Sequence, residues 1–295
     1  MMGTLDKILR DPRLAYYFAQ KAVRNPHLRR GLGRALIVCL PKPAGEQTSS
    51  ATLSNLERQG IAYLPSLHLD AKTIAQVMLH YAGKPVLDLY SGARLESVDN
   101  LPSQYTKVQY TDQDTAACQP LVALANHPSI LTAVGQYLGA KPRISTMQTW
   151  WTYGEHSQTG QTHFDDVYHR DVDDLRFVKL FVYLTDTSLT TGAHSFIKGS
   201  HCSTALTRRG PISDHDAEQQ FSKEQFETVI GPAGTVFLED TWGIHRPLLA
   251  TQGRRLIFSV LYGLTDWIPQ RPKQAVMPLP VDLDHYTNRA YFYPS

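Results

Sequence analysis

The chain has 295 residues, with 29 Lys+Arg against 27 Asp+Glu, 42% hydrophobic residues, 10% aromatic residues and three cysteines. That apolar content excludes whole-chain disorder, and Cys39, Cys118 and Cys202 are too few and too scattered for a disulfide scaffold or a CxxC zinc site. No apolar run approaches the ~18 residues of a bilayer span and the start lacks a signal-like apolar stretch, so a cytoplasmic globular protein is expected.

The charge is unevenly placed. Residues 1–45 hold nine basic and two acidic residues, whereas the remainder carries 20 basic and 25 acidic. Such a head suits either peripheral contact with anionic lipid or docking, as a solvated helix face, onto a slightly acidic body. Docking is the preferred reading. No compact Lys/Arg block or RNA-binding signature occurs, so no nucleic-acid partner is expected.

Residues 5–25 read as helical, from Leu5, Ile8, Leu9, Leu14, Tyr17, Phe18 and Val23, with Pro26 and Gly31 expected to break the helix. Residues 41–50, with two prolines, a glycine and paired serines, read as a linker. Residues 71–82 predict an amphipathic helix closed by Gly83, and 115–138 one or two helices broken near Pro128. From about 143 the texture changes. RISTMQTWWTY, RFVKLFVYLT, GTVFLE and RLIFSVLYG are β-rich runs separated by Gly, Pro, Asp and Ser clusters. The expected plan is helices followed by an antiparallel barrel or sandwich, with a helical insertion near 222–229. In domain terms this is a basic helical extension and linker over 1–50, then a single domain over 51–295.

Three His-x-Asp triplets occur, at His68, His163 and His169, where chance alone predicts about one. On extended backbone residues i and i+2 share a face, which a chelate needs. Asp70 abuts a helix start and reads as an N-cap. His163-Phe164-Asp165 reads as a loop or substrate-side segment, whereas His169-Arg170-Asp171 precedes a long strand signal. Two imidazoles and one carboxylate on one face of an octahedral metal leave three positions open, enough for a 2-oxo acid and dioxygen. His245, after the strand-plus-turn signal GTVFLEDTWG, is the candidate second histidine. The far carboxylate of a 2-oxo acid needs a fixed cationic fork. Arg255 opens RLIFSVLY and shares a face with Ile257 and with Ser259, a candidate hydroxyl donor. Arg254 takes the opposite face unless a bulge exchanges the two.

The segments YHRDVDDLRFVKLFVYLTD (168–186), TGAHSFIKGSH (191–201) and GTVFLEDTWGIHRPLLATQGRRLIF (234–258) together resemble the phytanoyl-CoA dioxygenase family of Fe(II)/2-oxoglutarate oxygenases. The resemblance covers about 143–265. It implies an α+β fold with a double-stranded β-helix (jelly-roll) core and flanking helices. It further implies Fe(II) held by His169, Asp171 and His245, 2-oxoglutarate anchored by the arginine, and Gln148 lining the co-substrate pocket. It favours His169 over His163. The chain has Lys198-Gly199-Ser200-His201 where the family often has Pro-Gly-Ser-His. Asp171 stands where related halogenases have a small residue, so hydroxylation of a small molecule is expected, with O2 as oxidant. The competing readings are a zinc hydrolase on the same ligands and a non-catalytic jelly-roll binding module.

Asp173, Asp174 and Arg176 read either as groups orienting the ligands or contacting substrate, or as surface ion pairs. Trp150, Trp151, Tyr153 and Trp242 suit a pocket wall or core packing. Ser200 and His201 read as a turn cap, and Cys202 as a thiol without a partner histidine.

Overall fold

The computed structural model describes residues 4–43, 51–99, 101–154, 167–208 and 210–294. Three helices come first: α1 (Thr4–Arg10), α2 (Leu14–Gln20) and α3 (Pro26–Ile37). Pro26 does not break a helix as expected. It opens α3 at the first helical position, where its missing N–H costs nothing, and Asn25 caps the turn through bonds from the His27 and Leu28 amides. Gly31 lies inside that helix. The linker expected over 41–50 falls outside the described residues from position 44 onward.

The next elements are α4 (Ala51–Gln59), β1 (Ile61–Tyr63), α5 (Ala71–Tyr81), β2 (Val86–Asp88), β3 (Arg94–Leu95) and β4 (Lys107–Gln109). Asp70 caps α5 by accepting from the Thr73 amide at 2.8 Å, as its place before the apolar repeat suggests. Then follow α6 (Asp112–Ala116), α7 (Gln119–Ala125) and α8 (Pro128–Leu138), which ends on Gly139 in the left-handed conformation, φ +80°.

The strands of the body are β5 (Arg143–Tyr153), β6 (Phe177–Tyr183) and β7 (His194–Ile197). After α9 (Asp214–Gln220) come β8 (Phe226–Val229), β9 (Val236–Glu239), β10 (His245–Pro247) and β11 (Arg254–Gly263). A short β12 (Met277–Pro278), α10 (His285–Asn288) and β13 (Phe292–Tyr293) close the chain. The helical insertion expected near 222–229 is displaced: the helix is α9, capped by Ser213, and 226–229 is a strand whose β-branched and aromatic residues pair with β7.

Eight strands form an antiparallel sheet in the order β1-β9-β6-β11-β5-β4-β2-β3, and β10-β7-β8 form a second sheet. Alternation along each strand separates two faces. Val178, Leu180 and Val182 of β6 and Leu256, Phe258 and Val260 of β11 face outward into the main core, against α4, α5, α7 and α8. Phe181, Tyr183, Phe237 and Ile257 face inward, against Phe196 and Val229 of the smaller sheet. Full burial of each such side chain contributes about 2–3 kcal/mol of hydrophobic stabilisation. The expected α+β architecture, antiparallel strands enclosed by helices, is present.

The basic N-terminal segment contacts this body. Leu14 and Tyr17 pack with Val172, Phe177 and Trp242. The Tyr16 hydroxyl donates to Asp174 at 2.6 Å and the Gln20 amide to the Val172 carbonyl at 2.9 Å. Arg29 is buried, with its guanidinium 4.2 Å from the Trp242 ring centre. Among the described residues no helix is long and apolar enough to cross a membrane.

Candidate metal centre

Inward-facing positions between the two sheets build the site. His169 and His245 are paired across the gap by backbone bonds, each amide donating to the other's carbonyl at 3.0 and 3.1 Å. Two residues on, the Asp171 amide donates to the Thr241 carbonyl at 2.9 Å. These contacts bring the three side chains together, with one candidate ligand atom from each lying within 4.8 Å of the others. Nε2 of His169 is 3.7 Å from Asp171 Oδ1, and Nε2 of His245 is 3.5 Å from Asp171 Oδ2.

The far side of each ring fixes its direction. Nδ1 of His169 faces the Val167 carbonyl at 2.8 Å, and Nδ1 of His245 faces the Gly243 carbonyl at 3.0 Å. A carbonyl only accepts, so Nδ1 carries the proton and the Nε2 lone pair turns towards Asp171. Three electron-pair donors then face one shared point, and a divalent cation relieves their mutual repulsion. Burial and the neighbouring His245 push His169 down to about 4, so its imidazole is neutral at pH 7. Burial alone would raise Asp171, but Lys179 and the two histidines outweigh it and hold the carboxyl well below the usual range. Burial disfavours the charged form of His245, and the Asp171 carboxylate outweighs it to raise that ring.

Lys179 was not among the residues picked out from the sequence. Its Nζ lies 2.7 Å from Asp171 Oδ2 and 3.1 Å from Asp173 Oδ2. Of the two readings for Asp173, the structure gives contact with a group that orients Asp171. Asp174 is buried and accepts from Tyr16, Leu175 and Thr265, while Arg176 donates to the Tyr137 carbonyl. The sequence signal for Lys179 was its phase. It shares the inward face of β6 with Phe177, Phe181 and Tyr183, where a lysine needs a counter-ion.

A cavity of about 210 Å³ opens beside the triad. Its wall includes Arg255, Ser259 and Gln148, together with Trp150, Phe181 and Ile257. Gln148 and Ser259 are cross-strand partners, and the one register irregularity on β11 falls after Leu261. The strand is therefore regular from Arg254 to Ser259. Arg255 turns inward and is 3% exposed, while Arg254 faces Asp99 and the Trp151 ring outside the cavity. Arg255 donates to the Gly192 carbonyl, and its Nε is buried without a hydrogen-bond partner. A buried guanidinium with an unused donor is a receptor for an anion.

His194 and Glu239 also belong to this interior and were not anticipated. His194 Nε2 lies 2.8 Å from Glu239 Oε2, and the His194 ring stacks on His245 with centres 5.5 Å apart. Trp150 lines the cavity, whereas Trp151 belongs to the outer core and Trp242 packs beneath Arg29 and Arg170. Ser200 does not cap its own turn; its hydroxyl accepts from the Ile244 amide at 2.7 Å. His163 and Asp165 lie outside the described residues.

The donor set suits a divalent metal: two neutral-capable imidazoles and one carboxylate, with their backs tied to backbone carbonyls. Two nitrogens and one oxygen on one side are the ligand pattern of non-haem iron sites.

Residues 104–247 match the family model for phytanoyl-CoA dioxygenase. No curated protein matches the chain. Among solved structures, the epimerase SnoN in complex with Fe3+, alpha ketoglutarate and nogalamycin RO superposes with a TM-score of 0.52 at 18% identity, covering 72% of this chain and 81% of that one. The non-heme monooxygenase ThoJ gives 0.51 at 17% identity over 82% of this chain and 89% of its own. EctD from S. alaskensis with bound Fe gives 0.50 at 17% identity over 75% and 80%. At these identities the likeness is one of fold, the double-stranded β-helix.

Proposed function

We propose, from the match of residues 104–247 to the phytanoyl-CoA dioxygenase family model and from the site's geometry, that the chain is an iron(II)- and 2-oxoglutarate-dependent oxygenase that hydroxylates a small molecule. The observation that carries the reading is the convergence of His169, Asp171 and His245 beside a buried, under-used arginine. Bound iron would couple oxidative decarboxylation of 2-oxoglutarate by dioxygen, giving succinate and carbon dioxide, to oxidation of the substrate.

The residues take these roles in the proposal. His169 and His245 offer Nε2 and Asp171 one carboxylate oxygen, while Lys179 occupies the other oxygen's side and keeps the carboxylate from rotating. Arg255 holds the distal carboxylate of 2-oxoglutarate through its free Nε–H. Ser259 and Gln148, opposite each other on β11 and β5, supply polar contacts along the co-substrate. Trp150, Phe181 and Ile257 exclude water and so strengthen each polar contact. Leu89, Lys107 and Gln109 line the same cavity on the β2–β4 side, where a substrate would lie.

The test is reconstitution of metal-free protein with Fe(II) under anaerobic conditions, followed by 2-oxoglutarate and air. Succinate formation that stops on replacing iron with zinc supports the proposal. Tight zinc with hydrolytic turnover, or no succinate across a broad substrate panel, contradicts it.

A further inference from the structure

The turn after β7 brings a nucleophile, an imidazole and a guanidinium together. Cys202 Sγ lies 3.1 Å from His201 Nε2 and 2.7 Å from Arg30 Nη2. We propose that Cys202 is an activated thiolate and a site of covalent modification by soft electrophiles, with peroxide as the oxidant class. The expectation of a thiol lacking a histidine is thereby corrected, because the partner is its own chain neighbour.

The contacts define the charge arrangement. His201 is 1% exposed, and its Nδ1 has no hydrogen-bond partner. Its Nε2 faces both Sγ and the Glu57 carbonyl, at 3.1 and 3.2 Å. A carbonyl accepts only, so the ring proton sits on Nε2, shared between the Glu57 carbonyl and the sulfur. Arg30 adds a permanent cation. The groups facing the thiol are Arg30 from α3, Glu57 from α4 and His201 from its own turn. Asp240, after β9, acts on His201 and Arg30. Burial alone would raise the thiol, but His201 and Arg30 outweigh it and bring Cys202 below its ordinary value. Burial pushes Cys118 the other way, up to about 11, against weaker opposing contacts from Leu121 and Tyr81. Cys202 is half-buried, so a small reagent can reach it, and Cys39 is exposed.

The chemistry balances simply. The thiolate attacks one peroxide oxygen, the O–O bond breaks and an S–O bond forms. Sulfur is oxidised to the sulfenic acid, and peroxide is reduced, leaving as hydroxide that takes up the proton the thiol had released and departs as water. With iodoacetamide a C–S bond forms and iodide leaves.

Peptide mass spectrometry of the intact chain after timed iodoacetamide exposure tests the proposal, with Cys39 as internal reference. At about pH 6 Cys202 is expected to react about tenfold faster than Cys39, and the advantage should shrink as the pH is raised. Arg30→Met should remove most of the advantage, and Arg30→Lys should keep part of it. Circular dichroism reports whether each variant folds, and His201→Asn gives an independent loss should Arg30→Met unfold. A Cys202 rate no greater than that of Cys39 at pH 6 overturns the assignment, as does indifference to both the Arg30 and His201 changes. After peroxide, dimedone should label Cys202 and spare Cys118; rapid alkylation without dimedone labelling would overturn the oxidant class.

Discussion

His169 and His245 face each other as a backbone-paired couple, amide to carbonyl in both directions, with ring centres 4.4 Å apart and planes inclined by 55°. The spacing of the two imidazoles is thus set by the main chain. A side-chain change at either position should leave the pairing in place.

His169→Ala is accordingly expected to abolish iron-dependent succinate formation while costing only about 1–2 kcal/mol of stability. Thermal denaturation and a turnover assay on the same preparation check both halves. Retained turnover would mean that another histidine binds the metal.

Arg255→Ala should raise the 2-oxoglutarate concentration needed for half-maximal rate by about a hundredfold, the effect of truncating one partner of a buried charge pair. Arg254→Ala should leave it unchanged, because Arg254 faces Asp99 outside the cavity. Steady-state kinetics in 2-oxoglutarate decide between them.

Much of this arrangement was legible from strand phase. RRLIFSVL alternates faces up to the register shift after Leu261, so Arg255, Ile257 and Ser259 fall together and Arg254 falls opposite. The His-x-Asp segment stands out by its spacing, although the two histidines meet through an isolated bridge rather than a long ladder. Pro26 misled because the same residue ends one helix or begins another, and the Asn25 cap that decides the matter is a local bond. Lys179, His194 and Glu239 were missed because nothing local marks them. Their meaning lies in partners brought from other strands, Asp171 for the lysine and each other for the remaining two. His201 beside Cys202 was in plain view, but chain neighbours point their side chains together only in a tight turn such as this one.

Lys179→Met removes the cation shared by Asp171 and Asp173. Two facing carboxylates then remain in a poorly solvated interior, and the metal-free protein should lose about 3 kcal/mol. A divalent cation should recover part of that loss by binding only the folded state. Melting curves with and without Mn(II) test this; equal destabilisation in both would contradict the role given to Lys179.

Asp174 gives a pH signature. Burial pushes its carboxyl up to about 6 from an ordinary 3.8, against the opposing donors Tyr16 and Thr265. The folded form holds the proton more tightly than the unfolded chain. Its contribution is therefore fully present below about pH 4 and is lost as pH rises through about 6, by about 3 kcal/mol in total. Asp174→Asn should flatten that part of the stability–pH curve. An unchanged slope between about pH 4 and 7 would place the titration elsewhere.

The central claim is that one ferrous ion is held by His169, Asp171 and His245 and serves 2-oxoglutarate. Its most direct measurement is anaerobic titration of Fe(II) into metal-free protein, with and without 2-oxoglutarate, for the native chain and for Asp171→Ala. One ion per chain, tighter in the presence of 2-oxoglutarate and lost in the variant, is the predicted result. Iron binding that survives Asp171→Ala, or that ignores 2-oxoglutarate, would contradict it.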